Sequence, residues 1–423
     1  MAEGSHPTSA LATADQRRAE ERALAIFATD KLQAARAETL AHFRADPNAA
    51  LPDQDHLIGQ SVSEHYFHAA LMAASEDSTA PSFVWTLAHD HHWMGMHVLG
   101  SRFGQDNSDN CYRLASIDPR MRYRIKGQFA SGRPCDFSIC ALPGQPGENI
   151  LANVVALIDL DDIDLDADRC FSIEVDADPT DGRRNHLCIA RARMLFVRDT
   201  LAKWSVETPC ALQIEPLQVA AEREFHLGSA SSRAADLGNT IARYMLKELQ
   251  HGIFERGPLN ALNPPWAAGK HGGLVTQASA LGHYRLGVDD ALIVTADRLD
   301  ARYMGMQITD IWMLSYEYRH RTSSLNHAQA APDADGRFRW VISRRDPGVH
   351  NWLDGGGNGC GTILLRWQHL PAGRTPAGAN AVCELMKLSD VRGCLPRDTC
   401  FLSEMERAAQ RARRLSAYQC RIA

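Results

Sequence analysis

The sequence is poor in the features that would place it in a specialised class. No stretch approaches the ~18 consecutive apolar residues of a membrane span. Its first residues show no basic region followed by an apolar core, so no secretory leader is expected. There is no excess of positive charge. The net charge is −6, and the Lys and Arg residues are scattered, which argues against a nucleic-acid partner. One basic run, Arg407, Arg411, Arg413 and Arg414, falls in a helical pattern and reads as a solvated face. Neither a CxxC pair nor a Cys/His zinc spacing occurs among the 11 cysteines. That irregular, odd set fits reduced thiols in a cytoplasm better than a disulfide framework. GxSxG and HExxH are absent, which removes direct support for serine hydrolases and zincins.

What is present is ordinary globular material. Hydrophobic residues make up 45% of 423 residues and charged residues 23%. That is enough for a sizeable core, and the length calls for more than one structural unit. Apolar residues at three- and four-residue spacing predict a helix from about Gln16 to Arg44, stopped by Asp46-Pro47-Asn48. Residues 57–100 read as mixed helical. From Asn110 the period changes to two, which predicts strands. A helical period returns at 232–254, with Leu237, Ile241, Met245, Leu249 and Ile253 spaced by four. Strands resume from Tyr284 to Gln368, and a terminal helix is expected over Ser403–Tyr418.

The two strand-rich regions echo each other. Arg122-Tyr123 is matched by Arg302-Tyr303. Asp166-Ala167-Asp168-Arg169 before Phe171–Val175 is matched by Asp333–Arg337 before Phe338–Ile342. Asn185-His186-Leu187, then Leu195–Arg198, is matched by Asn351-Trp352-Leu353, then Leu364–Arg366. This order predicts a divergent duplication. The expected fold is mainly β: two related antiparallel sandwich or jelly-roll-like units with N-terminal, inserted and C-terminal helices. The expected divisions are a helical region 1–100, a first β unit 101–205, a helical connection 206–285, a second β unit 286–372 and a tail 373–423.

Four constellations could carry chemistry. His89, His91 and His97 offer metal-ligand residue types, with His89 and His91 at i, i+2 as on a strand face. No Glu follows to complete a cupin-like set, so a divalent metal is the lesser reading and no cofactor is predicted. The acidic run Asp159–Asp168 fails the calcium-loop pattern, with Ala167 and Ile173 where Gly and Glu belong. Gly355–Gly361 precedes a strand rather than a helix, and Gly269-Lys270-His271 lacks an upstream Gly, so neither reads as a phosphate cradle.

The fourth, Tyr303–Asp354, is dense in groups that bind or transfer protons. Asp310, His320 and Asp354 are the candidate acid–base residues. Tyr303, Gln307, Tyr316, Tyr318, Arg319, Asn326, Asn351 and Trp352 are the candidate ligand-positioning residues. Strand alternation would put Tyr316 and Tyr318 on one face. The bland alternative is a buried polar network tying loops together.

Several stretches resemble a bacterial family, Domain of Unknown Function 1214. They are Asp300–Ile308, Tyr318–Asn326, Pro332–Phe338, Ser343–Asp354 with the following Gly-rich turn, and Leu364–Trp367. Asp106–Tyr112, Tyr123–Gly127, Leu395–Cys400 and Glu404–Ala409 extend the resemblance from about residue 100 to the end. It implies a β-sandwich, jelly-roll-like architecture in the cytoplasm. It also implies association with catabolism of terpenoids, steroids or aromatics, but no established reaction. The family commonly has a His in the Gly-rich turn, where this chain has Asn358, and it has no counterpart to the His89–His97 segment. The resulting expectation is an enzyme acting on a hydroxylated, largely apolar small molecule, with neither nucleic acid nor membrane as partner and a homo-oligomer admitted. A non-catalytic sandwich protein that binds carbohydrate, lipid or protein is the alternative.

Overall fold

The computed structural model describes residues 9–51, 54–144, 154–219, 223–268 and 274–422. Met1–Thr8, Gly269-Lys270-His271 and the side chain of Leu249 lie outside the described residues. The chain opens with α1 (Ala14–Phe27), α2 (Asp30–Arg44) and α3 (Asp55–Ala74). The single helix expected from Gln16 to Arg44 is therefore two. Thr29 is extended (ψ 142°) and starts α2 afresh. Thr13 caps α1, its Oγ1 accepting from Gln16 N at 3.0 Å.

The segment expected to be mixed helical turns over to strands after α3. β1 (Val84–Thr86) is followed by a small hairpin, β2 (His91–Trp93) and β3 (Met96–Val98), whose turn uses left-handed Met94 and Gly95.

Eight strands follow: β4 (Asn110–Ser116), β5 (Tyr123–Gln128), β6 (Asp136–Leu142), β7 (Ala156–Asp159), β8 (Cys170–Asp176), β9 (His186–Cys188), β10 (Met194–Thr200) and β11 (Ala211–Pro216). They form a five-stranded sheet, β1-β4-β10-β6-β7, and a four-stranded sheet, β11-β5-β8-β9. Alternation points Ile125, Ile173 and Val175 of one sheet and Phe137, Ile139, Leu195 and Val197 of the other into one core.

A helical connection comes next. α4 (Leu227–Tyr244) passes through a π-helical stretch, Met245–Gln250, into α5 (His251–Arg256), which ends at Gly257. α4 packs on α3, and Ile26, Phe43, Val62, Phe67, Leu237 and Ile241 share a helical core that also takes in Trp312.

The second sandwich contains β12 (Trp266–Ala267), β13 (Gln277–Arg285), β14 (Asp290–Ala296), β15 (Tyr303–Thr309), β16 (Ser324–Asn326), β17 (Phe338–Ser343), β18 (Trp352–Leu353), β19 (Cys360–Gln368) and β20 (Val382–Lys387). Its sheets run β12-β13-β19-β15-β16 and β18-β17-β14-β20. Strand for strand this repeats the first sandwich, including the parallel pair: β8–β9 recurs as β17–β18. The duplication is thus visible in topology. Three of the sequence landmarks fall on equivalent strands: β8 with β17, β9 with β18, β10 with β19. The fourth does not. Tyr123 opens β5, whose counterpart is β14, whereas Tyr303 opens β15, the counterpart of β6. A two-residue match cannot index one antiparallel strand among many.

The chain closes with α6 (Val391–Cys394) and α7 (Glu404–Ile422). α7 begins with a reciprocal cap between Ser403 and Glu406. Its arginines are a solvated face only in part: Arg413 is exposed. Arg407 and Arg414 are buried. Arg407 holds Asp346, Arg411 holds Asp354, and Arg414 donates to Tyr318 O and to Ser324 Oγ. Because both sandwiches and the helices leave polar loops between them, α7 supplies long donors that reach those loops.

None of the 11 cysteines is in a disulfide. Among the described residues no helix is long and apolar enough to cross a membrane.

Candidate functional site

The site is built where α3, the loop after β3 and two loops of the second sandwich converge. α3 contributes Gln60 and, four residues on and so on the same face, Glu64. Gln60 Nε2 donates to Glu64 Oε1 at 2.9 Å. The Glu64 carboxylate is buried and accepts from Arg102 N at 2.9 Å, from Arg102 Nε at 2.8 Å and from Nη2. Gly100 makes this approach feasible. A Cβ there would stand 2.6 Å from the Glu64 carboxyl carbon.

The remaining nitrogen of Arg102, Nη1, turns to the second sandwich. It donates to Ser315 O and to His89 Nε2, the latter at 3.1 Å. His89 Nε2 therefore accepts and its proton sits on Nδ1. Burial, then Arg102 and Arg319, push the imidazole well below its ordinary value, so it stays neutral. Ser315 is gripped from the other side by Asp106, whose oxygens accept from its N at 3.1 Å and its Oγ at 2.6 Å. Burial pushes the Asp106 carboxyl up to about 6.

Asp310 stands where β15 ends. Its Oδ1 accepts from Trp312 N at 2.8 Å and Leu314 N at 2.9 Å, which folds the following residues into a tight turn with Met313 left-handed. No bond reaches Oδ2 among the described residues. Burial pushes this carboxyl up to about 7, overriding the two N–H donors that favour its ionised form.

Gln60, His89, Arg102, Ser315 and Asp310 wall a polar cavity of about 240 Å³, with Glu64 and Asp106 behind them. α3 supplies His56, Leu57 and Gln60. The β1–β2 loop supplies His89 and Asp90. Arg102, Asp310, Leu314, Ser315, Tyr316, Glu317 and Arg321 line the middle, and Gly355, Gly356 and Asn358 close it. Asn358 is therefore on the wall. A carboxyl that titrates near neutrality, with one free oxygen on a small polar cavity, can take up and return a proton.

Of the acid–base, ligand-positioning and metal candidates named from the sequence, the cavity gathers Asp310, Tyr316 and His89. The rest are placed elsewhere. His320 is exposed and off the cavity lining, because residues 311–323 form turns rather than a regular strand. The same turns send Tyr316 and Tyr318 to different cores. Tyr316 donates to Cys360 O at 3.0 Å, while Tyr318 packs on Trp204, Tyr418 and His89. Arg319 is spent on Glu317 and Asp90. Asp354 is buried behind the wall and held by Arg321, Arg411 and Gly356 N.

Tyr303 donates to Asp109 at 2.7 Å and Gln307 to Asp106 O at 2.6 Å, both in the interior. Asn326 bonds Asp109 and Ala202 O, and Asn351 bonds Ala331 O and Arg339 O. Trp352 lies under Arg407 and Arg411 and donates to Ser343 O. For these residues the buried-network alternative describes the contacts.

The three histidines do not converge either. His91 Nδ1 binds His89 O and its ring faces Glu20, whereas His97 is exposed and stacked on His92. Among the described residues no three His, Cys, Asp or Glu side chains are grouped to hold a metal.

Sequence reasoning missed Glu64, Arg102, Asp106, Ser315 and Arg321. Asp106 and Arg321 lay inside stretches already noted for their resemblance. Glu64 and Arg102 gave no signal, since their partners are far away in sequence.

No family model matches the chain, and no curated protein matches it. Among solved structures, an uncharacterised protein from Burkholderia cenocepacia is similar. It is 23% identical, with 85% of this chain and 95% of that one covered and a TM-score of 0.71. It shares the mainly β fold with added helices. The VPA0106 protein from Vibrio parahaemolyticus is 10% identical over 78% of this chain and 97% of its own, at a TM-score of 0.45, too distant to bear on the fold.

Proposed function

We propose that this protein is an enzyme of small-molecule catabolism that performs acid–base chemistry on a hydroxylated substrate, with Asp310 as the proton-transferring group. The observation that supports this is the state of Asp310. One oxygen is fixed by two backbone N–H groups, the other is free on the cavity, and burial brings its titration to about 7. Near neutral pH such a carboxyl is present in both forms, which suits a group that accepts a proton from a substrate hydroxyl and later returns it.

Around it, Glu64 and Arg102 are a rigid support. Arg102 clamps His89 and Ser315, and Ser315 is clamped again by Asp106. The size of the cavity favours the small, polar end of the expected substrate range. At about 240 Å³ it is below the ~300–1,000 Å³ of sites for drug-sized ligands, and so below what a steroid skeleton needs. Eleven cysteines outside any disulfide suit a reducing cytoplasm.

The test is a turnover screen of small hydroxylated compounds with wild type and Asp310→Asn. Loss of the acid–base group should lower kcat roughly 10²–10⁴-fold for any substrate found. A substrate turned over equally by both proteins would remove Asp310 from the chemistry.

A further inference from the structure

We propose that the cavity binds a short carboxylic acid of the hydroxy-acid type, with its carboxylate seated on the free edge of Arg321; this rests on the reading of the cavity as the substrate site. The ion pairs around the cavity fall into three sets: one neutral, one with a carboxylate in excess and one with a guanidinium in excess. Glu64 and Arg102 are bound to each other. Glu317 and Asp90 are both bound to Arg319. Asp354, by contrast, is one carboxylate shared by two guanidiniums, Arg321 and Arg411. That corner carries one more positive charge than negative.

Arg321 is also the guanidinium with donors to spare. It reaches Asp354 through Nη1 alone, at 3.3 and 3.2 Å to the two oxygens. Its Nε and Nη2 make no bond among the described residues, and the side chain lines the cavity. A planar guanidinium presenting Nε and Nη2 together matches a carboxylate in the two-bond fork.

The wall beside it is bare. Gly356 has φ +70°, which a side chain would strain, and a Cβ there would lie 3.5 Å from the guanidinium carbon of Arg321. A ligand can therefore approach the guanidinium along backbone. The space holds roughly eight waters at ~30 Å³ each, which limits the ligand to a short chain. Asp310, on another wall of the same small cavity, is then the group that meets the ligand's hydroxyl.

The experiment is calorimetric titration of the full-length protein with glycolate and lactate, and with their neutral amides as controls. It is repeated on Arg321→Met and Arg321→Lys. Arg411 keeps Asp354 paired in both variants, and an unchanged urea midpoint verifies the fold. The expected result is that the acids bind and the amides do not. Arg321→Met should weaken acid binding roughly 10- to 100-fold, the range for a hydrogen bond to a charged group, and Arg321→Lys should restore part of it. Amides that bind as well as acids, acids that bind Arg321→Met unchanged, or no binding at all would each overturn the proposal. Those outcomes leave the acid–base reading to stand or fall on Asp310→Asn. Conversely, acids held by Arg321 but never turned over would support this inference while refuting that reading.

Discussion

Replacing Asp310 with Asn should stabilise the protein at alkaline pH while removing its proposed chemistry. The unfolded carboxyl titrates near 3.8, and burial moves it to about 7 in the folded chain. Between those values the folded state holds a proton that the unfolded state has released. Stability from this group is therefore lost as pH rises through the window, and the whole cost is present above pH 7. At ~1.36 kcal/mol per pH unit the cost is on the order of 4 kcal/mol.

An Asn has no charge to bury, and its Oδ1 can still accept from Trp312 N and Leu314 N. The two proteins should then be nearly equal at pH 4. The variant should be the more stable by a few kcal/mol at pH 8. Urea unfolding at pH 4, 5, 6, 7 and 8 measures this, and taking the difference between variant and wild type cancels the other titrating groups. A difference that stays flat across that range would show that Asp310 does not titrate there, and the argument for its role would lose its physical basis. A site group that costs stability where it is needed is what a functional position should look like.

Three further outcomes are expected. Glu64→Gln leaves the Arg102 guanidinium buried without its carboxylate and should cost ~3–5 kcal/mol in urea unfolding; a loss under ~1 kcal/mol would mean the pair is not formed in solution. Gly100→Ala puts a Cβ 2.6 Å from the Glu64 carboxyl carbon and should cost ~1–3 kcal/mol, with turnover falling too as Arg102 shifts; an unaltered urea midpoint would contradict the tight approach. His65 and His68 are pushed down to about 3 by burial, so their contribution is intact above pH 6.5 and lost as pH falls toward 3. His65→Phe should flatten that acid-side loss, and an acid limb as steep as in wild type would refute it.

The sequence showed the architecture far better than the site. Acidic turns before β8 and β17, and the Asn-led entries to β9 and β18, are local signals, and they marked equivalent strands correctly. Asp310 was noticed as one of the proton-transferring groups crowded between Tyr303 and Asp354. What could not be read was direction. His320 and Tyr318 lie close to Asp310 along the chain, yet the turns after β15 point both of them elsewhere, and Asp354, after β18, is turned to Arg321 and Arg411. Glu64 and Arg102 are 38 residues apart, and Arg102 meets Ser315 across 213. Their pairing is a property of tertiary packing, and no period or motif announces it. The arginines of α7 misled for a related reason. A basic helical stripe looks solvated until the loops that its guanidiniums reach are known.

The span of those contacts also has a consequence for biosynthesis. Arg102 leaves the ribosome with Glu64 already made, but its second partner, Ser315, lies 213 residues further on. At ~5–20 residues per second this is a wait of roughly 10–40 s. Arg411, which neutralises Asp354 behind the cavity, comes later still. The first sandwich can complete its own core in that time, whereas the helical core still waits for Trp312 and Cys360. The cavity waits as well, so a truncated nascent chain would display folded parts and no working site, and a stalled one would hold the buried cation of Arg102 open to water until the rest arrived.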